Sequence, residues 1–154
     1  MEAIKRDGVP YDLISKSLPT VEGAVNDILA QIVDFSIVFN MDGKQIDTHI
    51  VYDDDRVWPL ELSSGMERFI SSLAIRIGLM NVSNLPQGNF LAIDEGWGTM
   101  DSDNLNSVSQ LFQYLKTQFQ FTFVVSHIET MRDFVDTLLE IKKVDGSSSV
   151  RFSR

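Results

Sequence analysis

The chain has 154 residues, 44% of them hydrophobic, with ten Phe and two Trp, enough apolar volume to fill a single core. Its formal net charge of −9 speaks against broad, unaided contact with a phosphate backbone, because such binding rests on Lys and Arg displacing condensed counterions. With no cysteine, disulfides and thiolate metal sites are excluded, so any metal has oxygen or imidazole ligands and is a hard ion such as magnesium.

The first residues, Met1 to Leu18, interleave Glu2, Lys5, Arg6, Asp7 and Asp12 with apolar positions, which leaves neither the apolar core of a signal peptide nor a stretch able to span a bilayer. The expectation is a soluble intracellular protein, cytoplasmic or nuclear, with no membrane partner. Pro10 and Pro19 punctuate the start. Thr20 can then cap a helix whose apolar positions Val21, Val25, Ile28, Leu29 and Ile32 recur at helical spacing and which ends near Asp34. The segment Phe35 to Phe39, the Asp42-Gly43 pair and the alternating stretch Gln45 to Tyr52 read as an antiparallel hairpin. The run Asp53-Asp54-Asp55 fits a solvated turn after that strand better than a metal site.

From Gly65 the pattern changes. Met66, Phe69, Ile70, Leu73, Ile77 and Met80 form a helical face, and Pro86-Gln87-Gly88 break the chain before the apolar strand Phe90 to Ile93. A helix from about Ser102 to Gln118, a strand Phe121 to Val125, a helix from about Ile128 and a hairpin turning at Asp145-Gly146 complete the order. Two continuously apolar strands separated by a helix predict a parallel pair buried on both faces, hence an α/β fold with added antiparallel hairpins.

Three short motifs carry candidate chemistry. The first strand of the parallel pair ends in Asp94-Glu95, and ligands of open parallel sheets bind beyond the carboxyl ends of strands. Consecutive residues point to opposite faces, so Asp94 can hold Mg²⁺, directly or through water, while Glu95 orients and deprotonates an attacking water; the alternative is an acidic strand end facing solvent. The second strand runs into Ser126-His127, where an imidazole can bond a terminal phosphate or serve as a satisfied structural group. Finally, Ser64 and Glu67 have capping-box spacing, and the helix N-terminus they cap is equally an anion site.

In this order and at these intervals, Ser64-Gly65-Met66-Glu67-Arg68-Phe69, Asp94-Glu95-Gly96-Trp97-Gly98-Thr99-Met100-Asp101 and Val125-Ser126-His127-Ile128-Glu129 resemble the C-terminal lobe of SbcC-type DNA-repair ATPases. These are relatives of SMC proteins and of ABC transporter ATPases, which usually carry Pro-Thr after the Asp-Glu pair. The likeness covers about residue 8 to the end. It implies a helical segment over residues 1–34 that returns from a coiled coil, followed by the C-terminal lobe of an ABC-type P-loop NTPase head over 35–154, with parallel strands flanked by helices.

By the same resemblance Ser64 and Gly65 are signature residues that contact the ATP γ-phosphate of an opposing head, with Ser63 as the key hydroxyl if the motif is anchored one residue earlier. Asp94 serves Mg²⁺, Glu95 is the catalytic base, Asp101 is the D-loop residue bridging the dimer, and His127 is the switch histidine. The signature departs from Leu-Ser-Gly-Gly-Glu/Gln, with Ser63 at the Leu position and Met66 at the second Gly. No Gly-x-x-x-x-Gly-Lys-Ser/Thr occurs, so the phosphate-cradling Walker A loop must come from an N-terminal lobe, and the chain is expected to be a fragment or a separately encoded half. The implied function is half of an ATP-hydrolysing head in double-strand-break repair, with ATP and Mg²⁺ as cofactors. The implied partners are that N-terminal lobe, a second head, an SbcD-type nuclease and double-stranded DNA. An SMC- or RecF-like DNA-tethering ATPase without a nuclease is one alternative, and a non-catalytic interaction module of the same fold is another.

Overall fold

The computed structural model describes residues 9–42, 45–53, 56–84, 86–98 and 104–153. It opens with α1, Val9–Leu29, which starts well before Thr20. Thr20 is therefore an interior residue and not a cap. Pro19 lies inside the helix, where it cannot donate to the preceding turn. The helix continues because the turns that follow bury Val21, Val25, Ile28 and Leu29. It also ends earlier than the spacing suggests. A tightened turn, with Ile32 N donating to Leu29 O at 2.8 Å, carries Ile32 into the core after α1 has stopped.

An antiparallel sheet of three strands follows, in the order β1 (Ser36–Asp42), β2 (Gln45–Asp53) and β3 (Arg56–Pro59). The first pair is the expected hairpin, with Ile37 opposite Ile50 and both fully buried. The third strand is an addition to the sequence reading. It is short, exposed and ends on Pro59, as suits a sheet edge. At the opposite edge α1 covers β1. Asn26 Nδ2 donates to Ile37 O at 2.9 Å, Ile37 N donates to Asn26 Oδ1 at 2.8 Å, and Phe39 N donates to Glu22 Oε2 at 2.7 Å. Glu22 and Asn26 are one helical turn apart, so one face of α1 satisfies strand groups that would otherwise invite another chain.

A single 3₁₀ turn, Leu60–Leu62, leads into α2, Gly65–Val82. Helix α2 lies against α1, burying Met66, Ile70, Leu73, Ala74 and Ile77. The crossing is tight at Gly78, where a Cβ would sit 2.7 Å from Val25 Cγ2.

The second sheet pairs β4 (Phe90–Asp94) with β5 (Phe121–Val125) in parallel, joined through α3 (Leu105–Gln118). In register Phe90 stands beside Phe121 and Asp94 beside Val125. One face, carrying Leu91, Ile93 and Val124, turns to the core. The other does not. Phe90 is 65% exposed, Phe121 59% and Phe123 42%, which corrects the expectation of burial on both faces. An apolar strand pattern requires a second covering layer, and among the described residues nothing supplies it.

After β5 the expected helix is absent; Glu129–Phe134 forms a 3₁₀ segment. Ile128, Met131 and Phe134 contact the core at intervals of three, which matches the 3₁₀ repeat better than the α-helical one. The chain closes with the antiparallel hairpin β6 (Leu138–Val144) and β7 (Ser147–Ser153). Its turn residues Asp145 and Gly146 both have positive φ, 49° and 80°, as a tight hairpin turn demands. No helix among the described residues is long and apolar enough to cross a membrane.

Candidate functional site

Residues from two places in the sheet and helix framework make up the site. The first is the N-terminus of α2. Ser64 is its N-cap, with Oγ accepting from Glu67 N at 3.2 Å and Ser64 N donating to Glu67 Oε2 at 2.7 Å, so the capping box expected from the spacing is complete. Gly65 is the first helical residue. The two candidate serines differ in their surroundings. Ser63 is half-buried and its hydroxyl donates to Leu60 O at 2.8 Å, inside the 3₁₀ turn, whereas Ser64 is exposed. Arg68 Nη1 ties the same turn to α2 by donating to Glu61 O at 3.1 Å.

Behind the box stands a residue the sequence did not single out. Tyr52 Oη, on β2, donates to Glu67 Oε1 at 2.6 Å. Burial first, then this bond and the Glu67 charge, push the Tyr52 hydroxyl up to about 12, with Arg56 opposing. Burial alone would raise Glu67, but the hydrogen bonds from Tyr52 and Ser64 outweigh it and hold the carboxyl below its ordinary range.

The second place is the carboxyl end of the parallel pair. Asp94, the last residue of β4, is exposed, and its carboxylate engages no partner among the described residues. Glu95 N donates to Val125 O at 3.1 Å, which extends the ladder one residue beyond the strand. Glu95 then takes a φ of 62° and Gly96 one of 103°, turning the chain sharply. That turn favours glycine at 96, because an L residue is strained at this φ and its Cβ would lie 2.4 Å from Phe69 Cε2, forcing the ring to shift. On the neighbouring strand Ser126 Oγ accepts from Ile128 N at 3.1 Å, fixing the bend that presents His127. The imidazole Nδ1 stands 3.4 Å from Glu95 Oε1, and both side chains are open to solvent.

The adjacency of β4 and β5 thus brings Asp94, Glu95 and His127 to one sheet end. Asp101 lies outside the described residues. Among those residues no group of three His, Asp or Glu side chains is arranged to hold a metal. A single open carboxylate such as Asp94 nevertheless fits magnesium at a phosphate site, because that ion keeps much of its water and takes one or two carboxylates plus phosphate oxygens. Trp97 is the other residue without an advance role. It is 1% exposed and packs edge-on against Phe69 of α2, at 4.8 Å between centroids, and flat against Phe112 of α3 at 5.4 Å.

Comparison with known proteins bears on the fold that carries these residues. No protein-family model matches the chain. The C subunit of the SbcCD nuclease from Staphylococcus aureus is 28% identical over 123 residues, which is 77% of this chain and 12% of that protein. The chain is a homologue of SbcC. An uncharacterised protein, R555 of Acanthamoeba polyphaga mimivirus, is 36% identical over 160 residues, covering 94% of this chain and 12% of its own length. The chain therefore spans about 12% of the length of the curated relatives it matches. Among solved structures, one from work on ATP-driven dimerisation and DNA-stimulated activation of SMC ATPases superposes with a TM-score of 0.75 at 16% identity, covering 93% of this chain and 89% of that one. The mixed α/β fold of this SbcC homologue is that of an SMC head domain.

Proposed function

We propose that the chain is the C-terminal half of an ATP-binding and hydrolysing head, completed by a Walker A lobe, which pairs with a second head in a DNA double-strand-break repair complex. The observation that carries this reading is the approach of His127 to Glu95 at the end of the β4–β5 pair, on a fold that also leaves Ser64 exposed at a helix N-terminus. In this reading Glu95 accepts a proton from the attacking water and His127 bonds the terminal phosphate. Ser64 and the free amides of α2 meet a phosphate held by the opposing head, and Asp101 bridges the dimer. Asp94 would hold Mg²⁺, which supplies charge neutralisation on the phosphates when bound.

The open apolar face of β4 and β5 supports the half-head reading. Phe90, Phe121, Phe123 and Val125 form the kind of surface that a further layer of helices covers in a complete α/β domain. Sequence likeness to SbcC favours a complex with a nuclease and double-stranded DNA as substrate. The likeness in fold to SMC ATPases favours the second reading, a DNA-tethering ATPase without a nuclease, and a nuclease that copurifies with the full-length protein decides between them.

The test is ATP hydrolysis by the chain alone and after addition of the Walker A lobe. The chain alone is expected to be inactive, since base and metal residues without a phosphate cradle cannot align the γ-phosphate for in-line attack. Robust turnover by the chain alone, abolished by Glu95→Gln, would overturn the half-head reading.

A further inference from the structure

The capping box at the start of α2 does not close on itself. Glu67 uses Oε2 for the Ser64 amide at 2.7 Å and gives Oε1 to the Tyr52 hydroxyl at 2.6 Å, so the box is braced from another element, the antiparallel sheet. Tyr52 is itself held on two sides. Its ring lies 6.0 Å from that of Phe35, and the Arg56 guanidinium stands 5.6 Å from its centroid, with Arg56 Nη2 anchored to Asp53 Oδ2 at 2.8 Å. A glutamate with three free torsions is a loose capping group when one oxygen alone is bound, and it is also a negative charge beside the amides that would receive a phosphate. A second, charge-assisted bond from a fixed donor removes that freedom and draws one carboxylate oxygen toward the sheet.

We propose that Tyr52 is a positioning residue which, acting through Glu67, sets the orientation of Ser64 toward the opposing head's nucleotide. The β1–β3 sheet thereby governs the geometry of head engagement. This rests on the assignment of Ser64 to that contact. Tyr52 touches neither nucleotide nor water in this scheme, so its effect is on the alignment of the composite site and not on ATP binding by a single head.

The experiment compares Tyr52→Phe, Glu67→Gln, Ser64→Ala and the double variant Tyr52→Phe/Ser64→Ala in the complete head, with ATP and magnesium. The readouts are thermal midpoint, single-head ATP affinity, ATP-dependent association, kcat and KM. Tyr52→Phe keeps the ring against Phe35, so the head is expected to fold, with its thermal midpoint lowered only by the loss of one hydrogen bond, and single-head affinity is expected to be unchanged. Meanwhile kcat falls about tenfold, the scale of one hydrogen bond to a charged group, at constant KM. Glu67→Gln leaves the sheet untouched and is expected to give a loss of similar size, which keeps the idea testable if Tyr52→Phe lowers the thermal midpoint by more than that. Because both residues act through Ser64, the double variant should be no worse than Ser64→Ala. Normal association and kcat in Tyr52→Phe and Glu67→Gln, with Ser64→Ala impaired, overturns the role of Tyr52 and leaves the head reading intact. Additive losses in the double variant overturn it as well, since Tyr52 would then act elsewhere. Wild-type behaviour of Ser64→Ala removes the Ser64 assignment itself and this inference with it.

Discussion

Phe69 meets Trp97 edge to face, with ring centroids 4.8 Å apart and planes at 61°. The first residue lies two positions after Glu67 on α2, and the second two positions after Glu95 in the loop beyond β4. The helix that presents Ser64 and the turn that presents Glu95 thus share one aromatic wall, which continues through Phe112 to Phe134 at 5.9 Å. If Ser64 serves the opposing head's nucleotide and Glu95 its own, this wall lies between two composite sites of one dimer.

Gly96 is the point where that wall constrains the backbone. Gly96→Ala forces an L residue to a φ of 103° and drives its Cβ into the Phe69 ring edge. The strained backbone alone costs about 1–3 kcal/mol, and displacement of the ring adds to it. Urea unfolding of the chain should register a loss of at least that size. A Gly96→Ala variant as stable as the parent would show that the turn at Glu95 is not built as described.

Burial of Tyr52, together with its bond to Glu67, gives stability a pH dependence at both ends. Tyr52 has a folded pKa of about 12, above its ordinary value near 10, so its contribution is complete below about pH 10 and is lost as pH rises through about 12. Glu67 is shifted the other way, so its contribution is present above its ordinary pKa and disappears as pH falls through the depressed one. Denaturation curves across pH should therefore show a steeper alkaline loss for the parent than for Tyr52→Phe, and a steeper acid loss for the parent than for Glu67→Gln. Parallel curves for parent and variant would mean that neither the burial of Tyr52 nor its bond to Glu67 persists in solution.

How much of this was legible in the sequence follows from which signals are local. The capping box at Ser64 and the tight turn at Asp145-Gly146 depend on residues within four positions, and both appear where the pattern puts them. The parallel pairing of β4 and β5 was legible because two apolar runs flank a helix. Whether their outer face is covered was not, because an apolar strand reads the same whether its second layer comes from its own chain or another. Thr20 misled as a helix start because Pro19 reads as a breaker, while burial of Val21 and Val25 carries α1 through it. The segment after Ile128 misled because three apolar contacts at intervals of three suit a 3₁₀ turn as well as one face of an α-helix. Tyr52 was invisible for a different reason: an alternating strand shows which face a side chain takes, not which residue waits across the gap.

Glu95→Gln keeps the shape of the proposed base and removes its proton affinity. In the complete head the expected outcome is normal ATP binding, a longer-lived dimer and turnover reduced about 10²- to 10⁴-fold, the usual cost of losing a general base. Single-turnover hydrolysis and size-exclusion chromatography with ATP report both quantities. If ATP-dependent dimerisation disappears instead, Glu95 is a structural residue of the β4 turn.

Ser64→Arg tests the trans assignment most directly. The long side chain replaces an exposed cap, which costs the helix only about 1 kcal/mol, and α2 keeps its inner face of Met66, Ile70, Leu73 and Ile77. Folding and ATP binding by one head should therefore survive, while association of two identical Ser64→Arg heads is lost. The decisive step mixes these heads with heads carrying a broken Walker A loop. In a mixed dimer the intact loop of the first faces the intact Ser64 of the second, and both lesions fall together in the other site. One composite site is then whole, and activity should return to a fraction of the parent's. Absence of recovery at every mixing ratio, with heterodimers demonstrated by differential tagging, would place Ser64 in its own head's site or require both sites to fire together.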